Sequence, residues 1–289
     1  MVTAREFPKT GRHDVWASII PLEFAIHGAM NAPFPVLRRT ILVLILAAAA
    51  IYLGLSLYLF TQQRSLLYFP QPMTAGAEAS TAPLPGSEAN VLFSLRDVEG
   101  ADALIYFGGN AEDVSRNLPS FSAAFPKHAL YLLHYRGYGG SAGEPSEDAL
   151  FKDALALFDL AHARHGRVIV VGRSLGSGLA VRVASMRPAA RLVLVTPYDS
   201  IVGIAADLYP ALPVNWLMRD KYESWRYAPS VSAPTLIIAA GHDQVIPRES
   251  TQLLYTRFRK GVASMTVIAD AGHNSVSQDA AYLPLFVDD

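Results

Sequence analysis

The sequence predicts an α/β fold in which helices cover both faces of a mostly parallel sheet, with a small helical cap and one preceding transmembrane helix. Three observations support this prediction. Short apolar runs alternate with longer amphipathic ones from about residue 91, an uncharged apolar run covers residues 40–60, and a serine between glycines joins an apolar run to a helical pattern.

The apolar run at residues 40–60 reads TILVLILAAAAIYLGLSLYLF and contains no charged side chain. At a rise of about 1.5 Å per residue, roughly 20 residues cross the hydrocarbon core of a bilayer. A buried core helix would show a polar face, and a cleaved signal peptide usually has a shorter apolar region. Of these three interpretations, a membrane-spanning anchor is favoured.

Basic residues precede this run at Arg5, Lys9, Arg12, Arg38 and Arg39. Arg64 stands nearly alone on the other side. This asymmetry predicts a single-pass membrane protein with a cytoplasmic N-terminus and its folded domain on the outer, periplasmic or extracytoplasmic, side. Both Met1 and Met30 stay open as the start of translation, because Met30 also begins a compact flank for the span.

Composition excludes several classes of function. The 289 residues include no cysteine, which excludes disulfides, thiol catalysis and lipid attachment at cysteine. A formal net charge of −1, without a basic cluster among aromatic residues, argues against nucleic-acid binding. His162 and His165 are close on a predicted helix but lack a third ligand nearby, so we expect neither a metal nor a cofactor.

The chain is expected to comprise a cytoplasmic segment (1–39), the span (40–60), a linker and irregular lead-in (61–90) and one folded domain (91–289). Strands are predicted at 91–95, 103–107, 129–134, 167–172, 192–196, 235–240 and 265–269. Helices are predicted at 146–165 and 248–260, each after a proline. The interval at about 201–232 exceeds what a crossover needs and predicts a cap over the ligand-binding edge of the sheet.

The strongest chemical signal is the segment GRSLGSG at 172–178. Gly172 and Gly176 flank Ser174 at the spacing that a tight strand-to-helix turn requires, because side chains there would clash with neighbouring elements. Such a turn exposes Ser174 at a helix N-terminus, where the helix dipole favours an oxyanion. Ser174 is therefore the candidate nucleophile. A helix-capping serine in a nucleotide-binding turn is the alternative, but the G-x-G-x-x-G spacing is missing.

The G-x-S-x-G pattern also occurs at 139–143, around Ser141. There the apolar run has already ended near His134, and Glu144 and Pro145 follow, so no helix begins at the serine. We therefore interpret Ser141 as a residue of a glycine-rich loop.

A serine hydroxyl needs a general base, and a carboxylate must orient that base. In folds with this strand-turn-helix nucleophile the order along the chain is serine, acid, histidine. Asp243 and His273 each follow a predicted strand in that order, and we predict them as acid and base. Asp199, after the strand at 192–196, stays open as the acid, whereas His242 follows the wrong strand to be the base.

An oxyanion hole needs two backbone N–H donors, one from the residue after the nucleophile and one from a loop after an earlier strand. Leu175 supplies the first. The segment GGNAED at 108–113 follows an apolar strand, and its glycine pair lets the backbone approach a substrate, so Asn110 is the predicted second donor. A plain strand-to-helix turn capped by Asn110 is compatible with this role.

Taken together, these motifs resemble the α/β-hydrolase superfamily and, more narrowly, the bud-emergence-type membrane-anchored hydrolases, a group that includes the animal ABHD protein depalmitoylases. The matching segments are QRSLLYFP, GGNAED, YRGYGGSAGEPSE, GRSLGSG, TPYDSI, LYPALPVNWLMRDKYESW, GHDQVIP and AGHN. The resemblance implies an α/β-hydrolase fold in which Ser174, Asp243 and His273 form the triad, with Asn110 and Leu175 as oxyanion donors. Two positions depart from it, since Gly108 replaces a usual histidine and His134 a usual aspartate.

The predicted function is that of a serine hydrolase, of carboxylesterase or thioesterase type, acting on a small-molecule or lipid-like acyl substrate through a Ser-His-Asp triad. Apolar side chains in the cap suggest an apolar acyl group, although packing of the cap on the sheet explains them equally well. The alternatives are a catalytically silent membrane-tethered binding protein and an aminopeptidase-like hydrolase. The latter would need an acidic pair such as Asp220 and Glu223 to hold a substrate amine.

Overall fold

The computed structural model describes residues 34–74, 76–100 and 102–287. Arg5, Lys9, Arg12 and Met30, on which the predicted orientation and the alternative start depend, lie outside the described residues. The chain divides into two compact units, Met1–Leu57 and Tyr58–Asp289.

The described part of the first unit belongs to one apolar helix, α1, which covers Phe34–Leu67. The helix is long and apolar enough to cross a membrane. Ser56 is its one buried residue, whereas a helix from a protein core would bury an apolar face. The helix begins before and ends after the predicted span at 40–60, and its last residues, from Tyr58, belong to the second unit.

Within the described residues, the second unit contains an eight-stranded sheet in the order β1-β2-β4-β3-β5-β6-β7-β8. The strands are β1 (Thr81–Pro83), β2 (Leu92–Arg96), β3 (Asp102–Phe107), β4 (His128–Leu133), β5 (Val168–Arg173), β6 (Arg191–Val195), β7 (Thr235–His242) and β8 (Ala263–Gly272). The pairs β1–β2 and β2–β4 are antiparallel, and the other neighbours are parallel. The predicted mostly parallel sheet is thus confirmed. Its central strands are buried on both faces, which explains their nearly continuous apolar sequences.

Helices cover both faces of this sheet. The helices after α1 are α2 (Leu118–Ala124), α3 (Glu147–Arg164), α4 (Leu175–Met186), α5 (Ile201–Leu208), α6 (Val214–Leu217), α7 (Ser224–Tyr227) and α8 (Arg248–Arg257). One apolar core includes Phe158 of α3 and Leu179 of α4, and the other includes Phe121 of α2. Helix α3 begins after Pro145 as predicted, because the Ser146 hydroxyl accepts a hydrogen bond from the Ala149 N–H at 3.3 Å.

The lead-in shows structure that the sequence did not predict, whereas the cap region is helical, as the sequence predicted. Residues 61–90 include the last turns of α1 and the edge strand β1, in which Ala82 pairs with Phe93 of β2. The predicted cap at 201–232 consists of α5, α6 and α7 followed by a 3-10 turn at Ala228–Ser230.

The register of the parallel strands brings their carboxyl ends to one edge. Phe107 at the end of β3 pairs with Gly172 of β5, and His242 at the end of β7 pairs with Gly272 of β8. The segments that follow these strands carry Asn110, Ser174, Asp243 and His273. The fold therefore gathers the predicted site residues at the edge where open α/β sheets bind ligands.

Candidate active site

Three side chains from three different loops form one hydrogen-bonded chain. His273 Nε2 lies 3.0 Å from Ser174 Oγ, and His273 Nδ1 lies 2.9 Å from Asp243 Oδ2. The side chains of His273 and Asp243 are buried, whereas Ser174 is partly exposed. The structure thus brings together the serine, histidine and aspartate that the sequence predicted, and leaves the hydroxyl accessible to a substrate.

Ser174 occupies a strained turn between β5 and α4. Its φ of 48° and ψ of −116° lie outside the regions that L residues prefer, and such conformations persist where surrounding structure holds them. A Cβ at Gly172 would lie 2.5 Å from the Ala180 Cβ, and a Cβ at Gly176 would overlap the carbonyl oxygen of Phe107. The two glycines therefore provide the room that the sequence pattern predicted.

We expect Gly176→Ala to lower the free energy of unfolding by roughly 3 kcal/mol, because the new methyl group must displace the backbone of β3. Gly166→Ala is the matched control, since its Cβ would meet no atom within 4 Å. That control should change stability by less than about 0.5 kcal/mol. Thermal unfolding of the detergent-solubilised protein, followed by tryptophan fluorescence, checks both values, and equal effects would contradict the close approach.

Asp243 is held in its ionised form. Burial alone would raise the pKa of this carboxyl group, but hydrogen bonds from His273 and from the backbone N–H groups of Ile246 and Val245 lower the Asp243 pKa below its ordinary value. The last two bonds measure 2.8 and 2.9 Å. An ionised carboxylate in this position fixes the histidine tautomer and can stabilise an imidazolium ion.

Asp199 and His242, the other residues considered for the acid and the base, do not join this hydrogen-bonded chain. Asp199 Oδ1 is 3.4 Å from Arg257 Nε, and burial is the main cause that raises the Asp199 pKa. In the part of the chain that the structure describes, His273 Nδ1 bonds to Asp243 and not to Asp199. His242 is exposed at the end of β7. The geometry therefore favours Asp243 as the carboxylate partner.

The loop after β3 passes next to the nucleophile. A Cβ built at Gly109 would lie 3.6 Å from Ser174 Cβ, and the Gly176 N–H donates to the carbonyl oxygen of Gly108 at 3.1 Å. The backbone N–H groups of Leu175 and Asn110 donate to no acceptor within the described residues. Among the described residues neither N–H group is thus engaged by a protein acceptor, as an oxyanion donor requires.

The Asn110 side chain has a role that the sequence did not reveal. Its Nδ2 donates to the carbonyl oxygen of Leu67 at 2.6 Å, and its Oδ1 accepts from the Phe69 N–H at 3.0 Å and the Tyr138 hydroxyl at 2.7 Å. These bonds fasten the loop to the end of α1. The next turn is capped by Asp113, whose carboxylate accepts from the Ser115 N–H, so Asn110 is not its cap.

Glu112 links this loop to the turn that carries Ser174, a role that the sequence did not reveal. Its Oε2 accepts from the Gly109 N–H at 2.5 Å and lies 3.1 Å from Arg173 Nη1. Its Oε1 accepts from the Tyr106 hydroxyl at 2.9 Å. Both members of the Glu112–Arg173 ion pair are largely buried. Glu112 thereby joins Gly109, which precedes Asn110, to Arg173, which precedes Ser174.

The two departures from the family pattern have local explanations. A Cβ at Gly108 would lie 2.5 Å from Val114 Cγ1 and 3.3 Å from Glu112 Oε2, so a histidine there would require these side chains to shift. His134 is buried outside the triad, and its Nε2 lies 2.9 Å from Ser94 Oγ. Burial lowers the pKa of His134 to about 4, so the ring is neutral at pH 7.

Ser141, in the second G-x-S-x-G segment, has a structural role. Its hydroxyl donates to the carbonyl oxygen of His134 at 2.9 Å and accepts from the Leu92 N–H at 2.9 Å. The residue is buried, and these bonds join its loop to β2 and to the end of β4. The structure therefore agrees with the interpretation of Ser141 as a loop residue.

The remaining polar candidates are engaged with other protein groups. In the cap, Asp220 Oδ2 lies 2.9 Å from Arg64 Nε, and Glu223 Oε2 lies 2.8 Å from Arg226 Nε. His165 Nε2 lies 2.9 Å from the Tyr131 hydroxyl. Across residues 34–74, 76–100 and 102–287, no group of three acidic or histidine side chains is placed to hold a metal ion.

Comparison with known proteins identifies relatives and structural neighbours, although no protein-family model matches the chain. The uncharacterized protein Rv2307c of Mycobacterium tuberculosis is 34% identical over 249 residues, which cover 76% of this chain and 84% of that protein. The α/β hydrolase domain-containing protein aho-3 of Caenorhabditis elegans is 33% identical over 208 residues, covering 70% of this chain and 57% of that protein. The esterase Pf2001 of Pyrococcus furiosus superposes with a TM-score of 0.59 at 17% identity, over 75% of this chain and 96% of that structure.

Proposed function

The chain belongs to the α/β-hydrolase superfamily, and from this premise we propose that it is a membrane-anchored serine hydrolase that cleaves an ester or thioester of an apolar acyl group. The observation that carries this proposal is the hydrogen-bonded chain from Asp243 through His273 to Ser174, at 2.9 and 3.0 Å. A nucleophile, a base and an orienting carboxylate in this order support acyl transfer to water.

In the proposed mechanism, Ser174 Oγ attacks the substrate carbonyl carbon while its proton passes to His273 Nε2. Asp243 stabilises the resulting imidazolium ion, and the N–H groups of Leu175 and Asn110 donate to the oxyanion. The imidazolium proton then goes to the departing alcohol or thiol, which leaves an acyl-enzyme. A water molecule attacks this ester with His273 as the base, and the acid product and free serine are released.

Exposed apolar side chains in the cap support an apolar substrate. Trp216 is 89% exposed, and Leu208 and Tyr209 are also largely exposed, so packing on the sheet does not account for them. Tyr222, by contrast, is buried and belongs to the core. Because Asp220 and Glu223 pair with arginines, they offer little to a substrate amine, and an ester or thioester is the better match.

We propose that α1 anchors the protein, with the N-terminus in the cytoplasm and the hydrolase domain (91–289) on the outer side of the membrane. Arg38 and Arg39 lie before the most apolar part of the helix, as the positive-inside rule requires. Protease protection of a C-terminal tag in intact cells tests the sidedness.

Hydrolysis of p-nitrophenyl butyrate by the full-length protein in lipid nanodiscs tests the activity itself. We expect steady release of p-nitrophenolate. Incubation with a fluorophosphonate, which phosphonylates activated serines, should progressively abolish this activity. A folded preparation that releases no p-nitrophenolate and resists the fluorophosphonate would instead be the catalytically silent binding protein.

A further inference from the structure

An apolar groove lies between the last turns of α1 and the cap, within the second unit. It encloses about 330 Å³, a volume at the lower end of the range for small-molecule sites. Leu59, Leu66 and Leu67 line it from the helix, and Ala205, Leu212 and Met218 line it from the cap.

Polar contacts hold the two walls of the groove together. Gln63 Nε2 donates to the carbonyl oxygen of Leu217 at 3.2 Å, and Gln63 Oε1 accepts from the Arg219 N–H at 2.6 Å. Arg64 pairs with the buried carboxylate of Asp220. Because the Gln63 amide is engaged with the cap backbone, the groove offers its occupant mainly apolar surface.

The groove is connected through Leu67 to the loop that lies beside Ser174. Leu67 lines the groove, and its carbonyl oxygen accepts the hydrogen bond from Asn110, whose backbone N–H is a proposed oxyanion donor. From Leu59 to Leu67 the helix rises by about 12 Å. An extended alkyl chain advances by about 1.25 Å per carbon, given C–C bonds of about 1.5 Å, so the groove matches a chain of roughly ten carbons.

We propose that this groove binds the acyl chain of the substrate, a linear chain of at least about ten carbons whose carbonyl group lies at Ser174. The inference rests on the proposed hydrolase function and adds the substrate class. A linear alkyl chain needs no hydrogen-bond partner, which suits the apolar walls, whereas a bound peptide would leave amide groups unpaired there. The helical wall of the groove begins in the last residues of the predicted span and continues to Leu67 in the same helix, α1.

The test compares substitutions that fill the groove with neighbours that do not. Ala205→Trp places an indole in the groove, and Ala206→Trp changes the next residue of α5, which does not line it. We measure kcat/KM for p-nitrophenyl acetate and decanoate with the full-length protein in nanodiscs. We expect Ala205→Trp to lower kcat/KM for decanoate at least about 10-fold and for acetate less than about 2-fold, because each buried methylene contributes to binding. Ala206→Trp should change neither value.

A second pair covers the case in which the tryptophan variant fails to fold. Leu66 lines the groove and is 55% exposed, so Leu66→Gln should fold and still lower the decanoate-to-acetate ratio. Leu253→Gln, at an exposed residue of α8 outside the groove, is its control. An unchanged ratio in both groove variants would overturn the acyl-chain inference and leave the triad standing. A wild-type protein that hydrolyses neither ester would overturn the hydrolase function instead.

Discussion

Replacing Ser174 by alanine is expected to lower kcat for p-nitrophenyl butyrate by about 10⁴-fold or more, because without the hydroxyl no acyl-enzyme can form. In the proposed mechanism, the hydrogen bond between Ser174 Oγ and His273 Nε2, at 3.0 Å, activates this hydroxyl. Stopped assays on matched amounts of folded protein measure the loss.

Ser141→Ala is the matched control, since it lies in the other G-x-S-x-G segment. Its hydroxyl bonds to His134 and Leu92, away from the triad, so the substitution should lower stability by about 1–3 kcal/mol and leave kcat per folded molecule nearly unchanged. A large loss of kcat in Ser141→Ala together with an active Ser174→Ala would exchange the roles assigned to the two serines.

Asp243→Asn is expected to lower kcat by about 10⁴-fold while the fold stays intact. The amide oxygen can still accept from the N–H groups of Val245 and Ile246. An amide, however, cannot stabilise an imidazolium ion as a carboxylate does, and its NH₂ group favours the histidine tautomer that cannot accept the serine proton. Circular dichroism checks that the fold is intact, and the rate of ester hydrolysis measures the loss of kcat.

Asp199→Asn is the control for this second prediction, because Asp199 is the acid that the sequence left open. Its carboxylate is near Arg257 and receives no bond from His273, so we expect kcat to change by less than about 3-fold. Loss of activity in Asp199→Asn but not in Asp243→Asn would contradict the assignment of Asp243 as the acid.

The sequence was a good guide to features that depend on local patterns. The parallel strands could be predicted because strands buried on both faces are nearly all apolar. Ser174 could be predicted as the candidate nucleophile because its turn requires glycine at two fixed positions. Asp243 and His273 each follow a predicted strand, and parallel strands end at one edge of the sheet. Their positions therefore predicted that they lie near Ser174.

Features that depend on distant contacts could not be predicted. The bonds of Asn110 to Leu67 and Phe69 join residues about 40 positions apart, and Gln63 meets Leu217 across 154 positions. Neither contact leaves a periodic signal in the sequence. Residues 63–69, which bond to both Asn110 and the cap, therefore fall within the predicted linker and lead-in at 61–90. The edge strand β1 was missed because it is short and contains proline.

The most direct test of the account is the site of a covalent adduct. Full-length protein is incubated with a fluorophosphonate, digested with protease, and its peptides are sequenced by mass spectrometry. We expect one phosphonylated serine, Ser174, in the wild-type protein and little or no adduct in Asp243→Asn. An adduct on a different serine, or none on a folded protein, would contradict the claim that Asp243, His273 and Ser174 act together as a catalytic triad.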